Sequence, residues 1–252
     1  MRSTYPTRAG LTALAAALML AACSGGDSAP DTTPPPPAPT TASYEITVVN
    51  LTAGQPLSPL VALAHNDGFS LFKVGDGASV ALEHLAEGGE SAPLAALAKD
   101  SQSVYASAVA TAGLPPGAGN KAVLTLTVPL AALPTLRLSL ASMLGNSNDG
   151  FTGVSAQSLA TLAIGATVDT RLLGYDAGTE RNTESADSVP GPATANSGGK
   201  REAFNAARDD AVNHVHLHPG IVSKDDGLPT SALTQAQRWD NPVALLSVKR
   251  TQ

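Results

Sequence analysis

Two short loops carry the carboxylates of this chain that could act together. GNSNDGF, Gly145 to Phe151, and YDAGTERNTE, Tyr175 to Glu184, each follow a strand-like run and set acids among small residues. A calcium ion takes six to eight hard oxygens from carboxylates, amides and backbone carbonyls. Small residues let carbonyls turn inward, and acids balance the charge. Asp149, Asp176 and Glu180 supply that chemistry if the two loops meet at one end of the fold. The first loop lacks the alternating acidic positions of a helix-loop-helix calcium site. Acidic turns that simply stand in water are the alternative.

A second constellation is NHVHLHP, which holds three of the five histidines. On a strand His214, His216 and His218 share one face, because alternate residues point the same way. Imidazoles so spaced can share zinc or copper. The competing reading is a solvent-facing strand edge whose other side, Val215 and Leu217, enters the core. Trp239, the single tryptophan, reads as a core plug, with Arg238 and Asp240 beside it solvated or forming a local pair.

The third feature is the single cysteine. Arg2 and Arg8 precede an apolar run, Leu11 to Ala22, as in a signal peptide, and LAAC, Leu20 to Cys23, resembles the bacterial lipobox. The run is short for a membrane span of about 20 residues. With no partner for a disulfide, Cys23 is expected to be a lipid attachment point once residues 1–22 are removed. Ser24, rather than Asp, follows it, as in lipoproteins sent to the outer membrane. The expected localisation is therefore exported and lipid-anchored at the outer membrane.

These groups need elements to hold them. Residues 23–43 form a Pro-, Thr- and Ser-rich tether, with a reach on the order of 60 Å if extended. A folded domain is expected over 44–252. YEITVVNLT, PLVALAH, VLTLTVPL, TLRLSLASML, ATVDTRLLGYDAG, HVHLH and VALLSVKR read as strands. Leu136, Leu138 and Leu140 point one way in the fourth of these, Arg137 and Ser139 the other. Gly77–Gly89 reads as a helix stopped by Gly88-Gly89, and Ser91–Asp100 as a second short one. Residues 188–202 read as a mobile polar loop. Short alternating strands with Gly, Pro and Asn turns and no βαβ rhythm predict a mainly β fold, an antiparallel β-sandwich with one or two short helices.

Composition narrows function. The 252 residues are 43% hydrophobic, 14% charged and 4% aromatic, with a net charge of -6 and no clustered bases. Nucleic acid is not an expected partner, because no basic face is present. No nucleophile elbow, HExxH or phosphate-cradling glycine loop occurs, so no enzyme is expected.

SMLGNSNDGFTG, then YDAGTE, then WDNPVALLSVKR, resembles the spondin domain family, found in animal extracellular matrix proteins and in many bacterial exported proteins. PLVALAHNDGFSLFKVGDGASVALEHLAEGGESAPL is similar to the bacterial branch. The likeness spans Tyr44 to Thr251, with the two acidic loops its most specific part. It implies a β-sandwich shaped like calcium-dependent lipid-binding domains, with a calcium ion between loops. Carried onto this chain, Asp149 and Asp176 would be ligands, then Glu180, with Asn148 and the backbone near Gly150 and Gly178 in support. The chain lacks the cysteines of the animal domains and has Gly150-Phe151 where those commonly carry Trp after the Asp. The reading is an envelope binding or adhesion module. It touches the membrane through its lipid and takes a protein or glycan partner. The alternative is a periplasmic zinc- or copper-binding protein.

Overall fold

The computed structural model describes residues 37–252. The expected signal peptide, Cys23 and most of the tether lie outside the described residues. The elements run β1 (Thr41–Asn50), β2 (Val61–His65), α1 (Val80–Gly88), α2 (Ala92–Asp100), β3 (Val104–Val109), β4 (Lys121–Pro129), β5 (Arg137–Met143), β6 (Gly150–Ser158), β7 (Thr167–Asp176), β8 (His216–Leu217) and β9 (Ala244–Arg250), with four short 3₁₀ turns. β1 begins three residues before the expected domain start, and Ala42 on it is fully buried.

All nine strands pair antiparallel in one sheet, ordered β3-β2-β5-β6-β7-β9-β1-β4, with β8 added against β7. The sheet is mainly β and nearly barrel-shaped, so the expected sandwich holds approximately. β7 joins its two halves. Thr167–Leu172 pairs with β9, and Leu173–Asp176 pairs with β6. One layer is β4-β1-β9 with the first part of β7. The other is β3-β2-β5-β6 with the last part.

Sequence alternation explains the core between them. Tyr44, Ile46 and Val48 of β1, Leu124, Leu126 and Val128 of β4, and Leu246 and Val248 of β9 meet Ala62, Ala64, Leu138 and Leu140 of the other layer. The polar residues between them on β4 stay exposed, as a sheet with one wet face requires. The second layer has no wet face. Its outer side, including Val61, Leu63, Ala141 and Phe151, packs under Leu82, Leu85 and Leu94 of the two helices. Ser139, expected on a polar face, is therefore fully buried. Its hydroxyl meets His65 Nε2 at 2.8 Å and accepts from the Ala156 amide at 2.9 Å.

α1 starts where Ser79 accepts from the Leu82 amide at 3.2 Å. The Ser79 cap is worth about 1 kcal/mol, and the helix stops at Gly89, whose φ of 68° is left-handed. β3 and β6 carry no alternation that a reading of the chain would recognise. β3 is assembled by its partner β2, and β6 by β5 and β7.

The 188–202 segment is packed rather than loose. Val189 joins a small core with Ile221 and Leu233, Thr194 is buried, and the Arg201 guanidinium donates to the carbonyls of Pro190 and Gly191.

Candidate metal centre

The turn between β5 and β6 is tied down from several sides. Gln55 exchanges two bonds with the backbone of Asn146, at 2.8 and 3.1 Å. The Asn146 side chain donates to Gly54 O and accepts from the Ala193 amide. Ser147 Oγ donates to Leu144 O at 2.6 Å and accepts from the Gly150 amide at 3.0 Å. A turn of Asn, Ser, Asn and Asp is thereby buried, with Asn148 and Asp149 at 0% exposure.

Pairing then brings the second loop to it. Gly150 lies opposite Asp176, and Phe151 opposite Tyr175 with their rings 5.5 Å apart. The Ala177 amide donates to Asp149 O. The chain after β7 wraps over Asp149. Its Oδ2 accepts from the Thr179 amide at 2.8 Å, the Thr179 hydroxyl at 3.2 Å and the Glu180 amide at 3.1 Å. Its Oδ1 is buried with no partner. Gly178 makes the wrap possible, with φ at 70° and a Cβ there falling 2.5 Å from the backbone of His214. Asp176 Oδ1 accepts from the Gly178 amide at 2.8 Å and Oδ2 from Asn182 Nδ2 at 2.7 Å.

Acid then crowds on acid. Burial lifts the Asp149 carboxyl well above the usual range, the charge of Asp176 adds to it, and the three donors oppose it. Glu184, 1% exposed and held at a φ of 55°, is pushed up to about 7 by burial, with Asp176 adding to it. Its Oε2 has no partner. Glu180, 7% exposed, is pushed up to about 9 by burial, then by the charges of Glu87, Asp149, Asp209 and Glu202. Among the described residues the unpartnered buried side-chain oxygens are Glu87 Oε1, Asn148 Oδ1, Asp149 Oδ1, Glu180 Oε2, Asn182 Oδ1 and Glu184 Oε2, together with the phenol of Tyr44 in the core. An orphaned buried polar atom costs about 1–3 kcal/mol. A concentration of them around acids is what a hard cation relieves.

Among the described residues no three His, Cys, Asp or Glu side chains already converge as a ligand set. The orphaned oxygens still bear on the question, because a calcium shell also takes amide, carbonyl and water oxygens. The oxygens present fit a hard dication. Strand pairing sets Asp149 beside Asp176, and Asn148 precedes Asp149 on the same turn, its side-chain amide nitrogen donating to Glu180 O at 3.1 Å. Glu180 contributes its amide to Asp149, while the charge its carboxyl feels most is that of Glu87. Glu87, Asn182 and Glu184 were not foreseen. Glu184 lies inside the TERNTE stretch and had a legible acid. Glu87 gave no signal, because it reads as a helix surface position.

The histidines divide. The strand there is two residues long. His214 and His216 are half-buried, their rings 5.9 Å apart, while the His218 ring is fully buried. Val215 is buried as expected, but Leu217, the last residue of β8, is 52% exposed. His216 pairs directly with Asp176 across β7 and β8, and its Nε2 stands 3.8 Å from Asp176 Oδ2. His218 Nε2 stands 3.9 Å from the same oxygen, and its Nδ1 accepts from the Gly220 amide at 3.0 Å. That bond leaves the proton on Nε2, which turns a donor rather than a lone pair toward the acids. Burial lowers His218 to about 4. His65 and His84 do not join: His65 bonds Ser139 and the Asn66 carbonyl, and His84 stacks on Phe204 at 3.6 Å. Trp239 is half-buried against two cores and edge-on to His218 at 4.9 Å. Arg238 pairs with Asp226 at 2.8 Å, not with Asp240.

The family model Spondin_N matches residues 51–197, more than half of the chain, and this span contains both acidic loops but not the histidine segment or β9. No curated protein matches the chain. Membership supports an exported, adhesion-type module in general terms. The chain belongs to the spondin N-terminal domain family.

Proposed function

We propose that the chain is a lipid-anchored adhesion module of the cell envelope, in which a calcium ion between the two acidic loops fixes a partner-binding end. The observation that carries this is Asp149 Oδ1: fully buried, unpartnered, and beside Asp176 across a strand pair. Asp149, Asp176 and Glu184, with the amide oxygens of Asn148 and Asn182, are the groups that would hold the ion. Bound calcium would supply the positive charge these oxygens lack and would tie the 145–150 turn to the 177–184 loop. Cys23 would carry the lipid, and the tether would hold the domain off an outer-membrane surface, where it meets a protein or glycan.

Thermal melting of the protein in EDTA, calcium, zinc and copper tests the ion. An ion that binds the folded state alone stabilises it by about 2.7 kcal/mol at a hundredfold excess over its dissociation constant. The expected result is a calcium-specific rise in melting temperature that Asp149→Asn and Asp176→Asn abolish. A zinc- or copper-specific rise lost in His216→Ala would replace this reading with the histidine one. Capture of envelope components that is unaffected by EDTA would separate any partner from the ion.

A further inference from the structure

The single tryptophan has a role that the acidic loops do not explain. Trp239 packs against two cores and against the His218 ring, yet it stays half-buried rather than sealed. It lines a depression of about 470 Å³, together with Leu51, Gln235, Arg238 and Asp240 among others. Sites for small molecules run from about 300 to 1,000 Å³.

Two turns build the walls, and both are locked. Gly54 lies so close to the Ala236 carbonyl that no Cβ would fit there. Gln55 Nε2 donates to the Gln237 carbonyl at 2.7 Å. Thr234 caps the short turn Gln235–Gln237 by accepting from the Ala236 amide at 3.2 Å, and its own amide donates to Gln237 Oε1 at 2.9 Å. The Leu51 amide donates to Val243 O at 2.9 Å. A site held in this way loses little freedom on binding.

Its chemistry is divided by side. Leu51, which is exposed, and Trp239 supply apolar surface. Gln235, Arg238 and Asp240 set planar polar groups beside it. Among the described residues the Asp240 carboxylate and the Gln235 side-chain amide have no protein partner, and Arg238 gives one N–H to Asp226 at 2.8 Å and keeps the rest. A pyranose ring has the matching asymmetry. The C–H groups of its face lie on aromatic and aliphatic surface. Its edge hydroxyls both donate and accept, so they suit a carboxylate, an amide and a guanidinium together. Other ligands match less well. Asp226 already balances Arg238, and the free charge of Asp240 repels an anion. β1, which leads into Leu51, is flanked by β9 and β4, so the depression offers an extended peptide no open strand edge.

We infer that this depression is a binding site for a neutral saccharide. Trp239 and Leu51 take the ring face, and Asp240, Gln235 and Arg238 take the hydroxyls. The inference rests on the adhesion reading for there being a partner, but not on the ion, since none of these residues is among those that would hold calcium. Gln235, Arg238, Trp239 and Asp240 lie beyond the matched span of 51–197, so the site belongs to the C-terminal part of this chain.

The one tryptophan of the chain provides the readout. The purified protein is titrated with maltose, cellobiose and N,N′-diacetylchitobiose, followed by indole fluorescence and by calorimetry. At least one of the three should give a saturable change, and a disaccharide of uronic acid should give none. Asp240→Ala should weaken binding about tenfold, as loss of a hydrogen bond to a charged group does. Its melting temperature should stay that of the wild type, because the carboxylate is exposed and unpartnered. Trp239→Phe, read by calorimetry, should weaken binding as well. No saturable response to any of the three overturns the site, as does a response that Asp240→Ala and Trp239→Phe both leave intact, or a preference for the uronic acid. Envelope protein captured equally by wild type and Asp240→Ala, with no saccharide response, also overturns it and assigns the partner to a protein. A calcium-specific rise in melting temperature without saccharide binding removes this site alone; saccharide binding without any metal effect removes the ion alone.

Discussion

Asp149 and Asp176 stand on neighbouring strand ends: Gly150 pairs with Asp176, and Asp149 O accepts from the amide that follows it, at 3.2 Å. Both side chains are fully buried, and the charge of Asp176 adds to the cost that burial already puts on ionising Asp149. Their relationship is repulsive without a cation and attractive around one.

Asp149→Asn should therefore act in opposite directions with and without calcium. Asparagine keeps an oxygen for the Thr179 and Glu180 donors and removes one of two like charges. In EDTA the variant is expected to melt above the wild type. In millimolar calcium the order should reverse. Melting curves that fall together under both conditions would contradict the repulsion.

Stability without metal should depend on pH with a definite sign. Glu184 rises to about 7 and Glu180 to about 9, each from 4.5, so the folded state holds protons that the unfolded chain has released. Stability from such groups is lost as pH rises toward the folded value. His218, lowered to about 4 from 6.5, acts in the other sense and loses its contribution only as pH falls below 6.5. Between pH 6.5 and 9 the carboxyls alone set the slope. The melting temperature in EDTA should fall across that window, and saturating calcium should flatten it. A rise in EDTA would be inconsistent with these acids.

The Arg208–Glu83 pair predicts a large loss from a single change. Glu83 is 3% exposed, and its partner lies 2.6 Å away. Arg208→Met leaves a buried carboxylate without its cation, at a cost of about 3 kcal/mol. Glu83→Gln added to that variant should restore much of it. Urea unfolding with an unchanged m-value would measure both.

Gly178→Ala probes the wrap over Asp149. The φ of 70° and the backbone of His214, 2.5 Å from a Cβ, leave no room. A loss of about 1–3 kcal/mol is expected. Calcium affinity should fall with it, because the Thr179 and Glu180 amides follow directly. Calorimetry of binding beside the melting curve would show whether the two losses travel together.

Much of this was legible in the chain. Period-two runs announced β1, β4, β5 and β9, because an inward face must be apolar to be buried. Gly88-Gly89 marked the end of α1 through the chemistry of helix ends, while its start at Ser79 lay two residues inside the expected one. The two acidic loops stood out through the spondin resemblance, since by residue type alone they could equally have been acidic turns standing in water. Other features had no local trace. β6 begins at the acidic turn and ends in polar residues, and its neighbours make it a strand. The three histidines looked equivalent at even spacing, yet a strand of two residues buries the ring of one and leaves the others half exposed. Above all, Glu87 sits on a helix far along the chain from Glu180, and no periodicity links them. Sequence sets which residues carry charge and which faces seek burial. Only the packing of α1 on the second layer decides which charges lose their water together, because desolvation belongs to the assembled neighbourhood and not to any one residue.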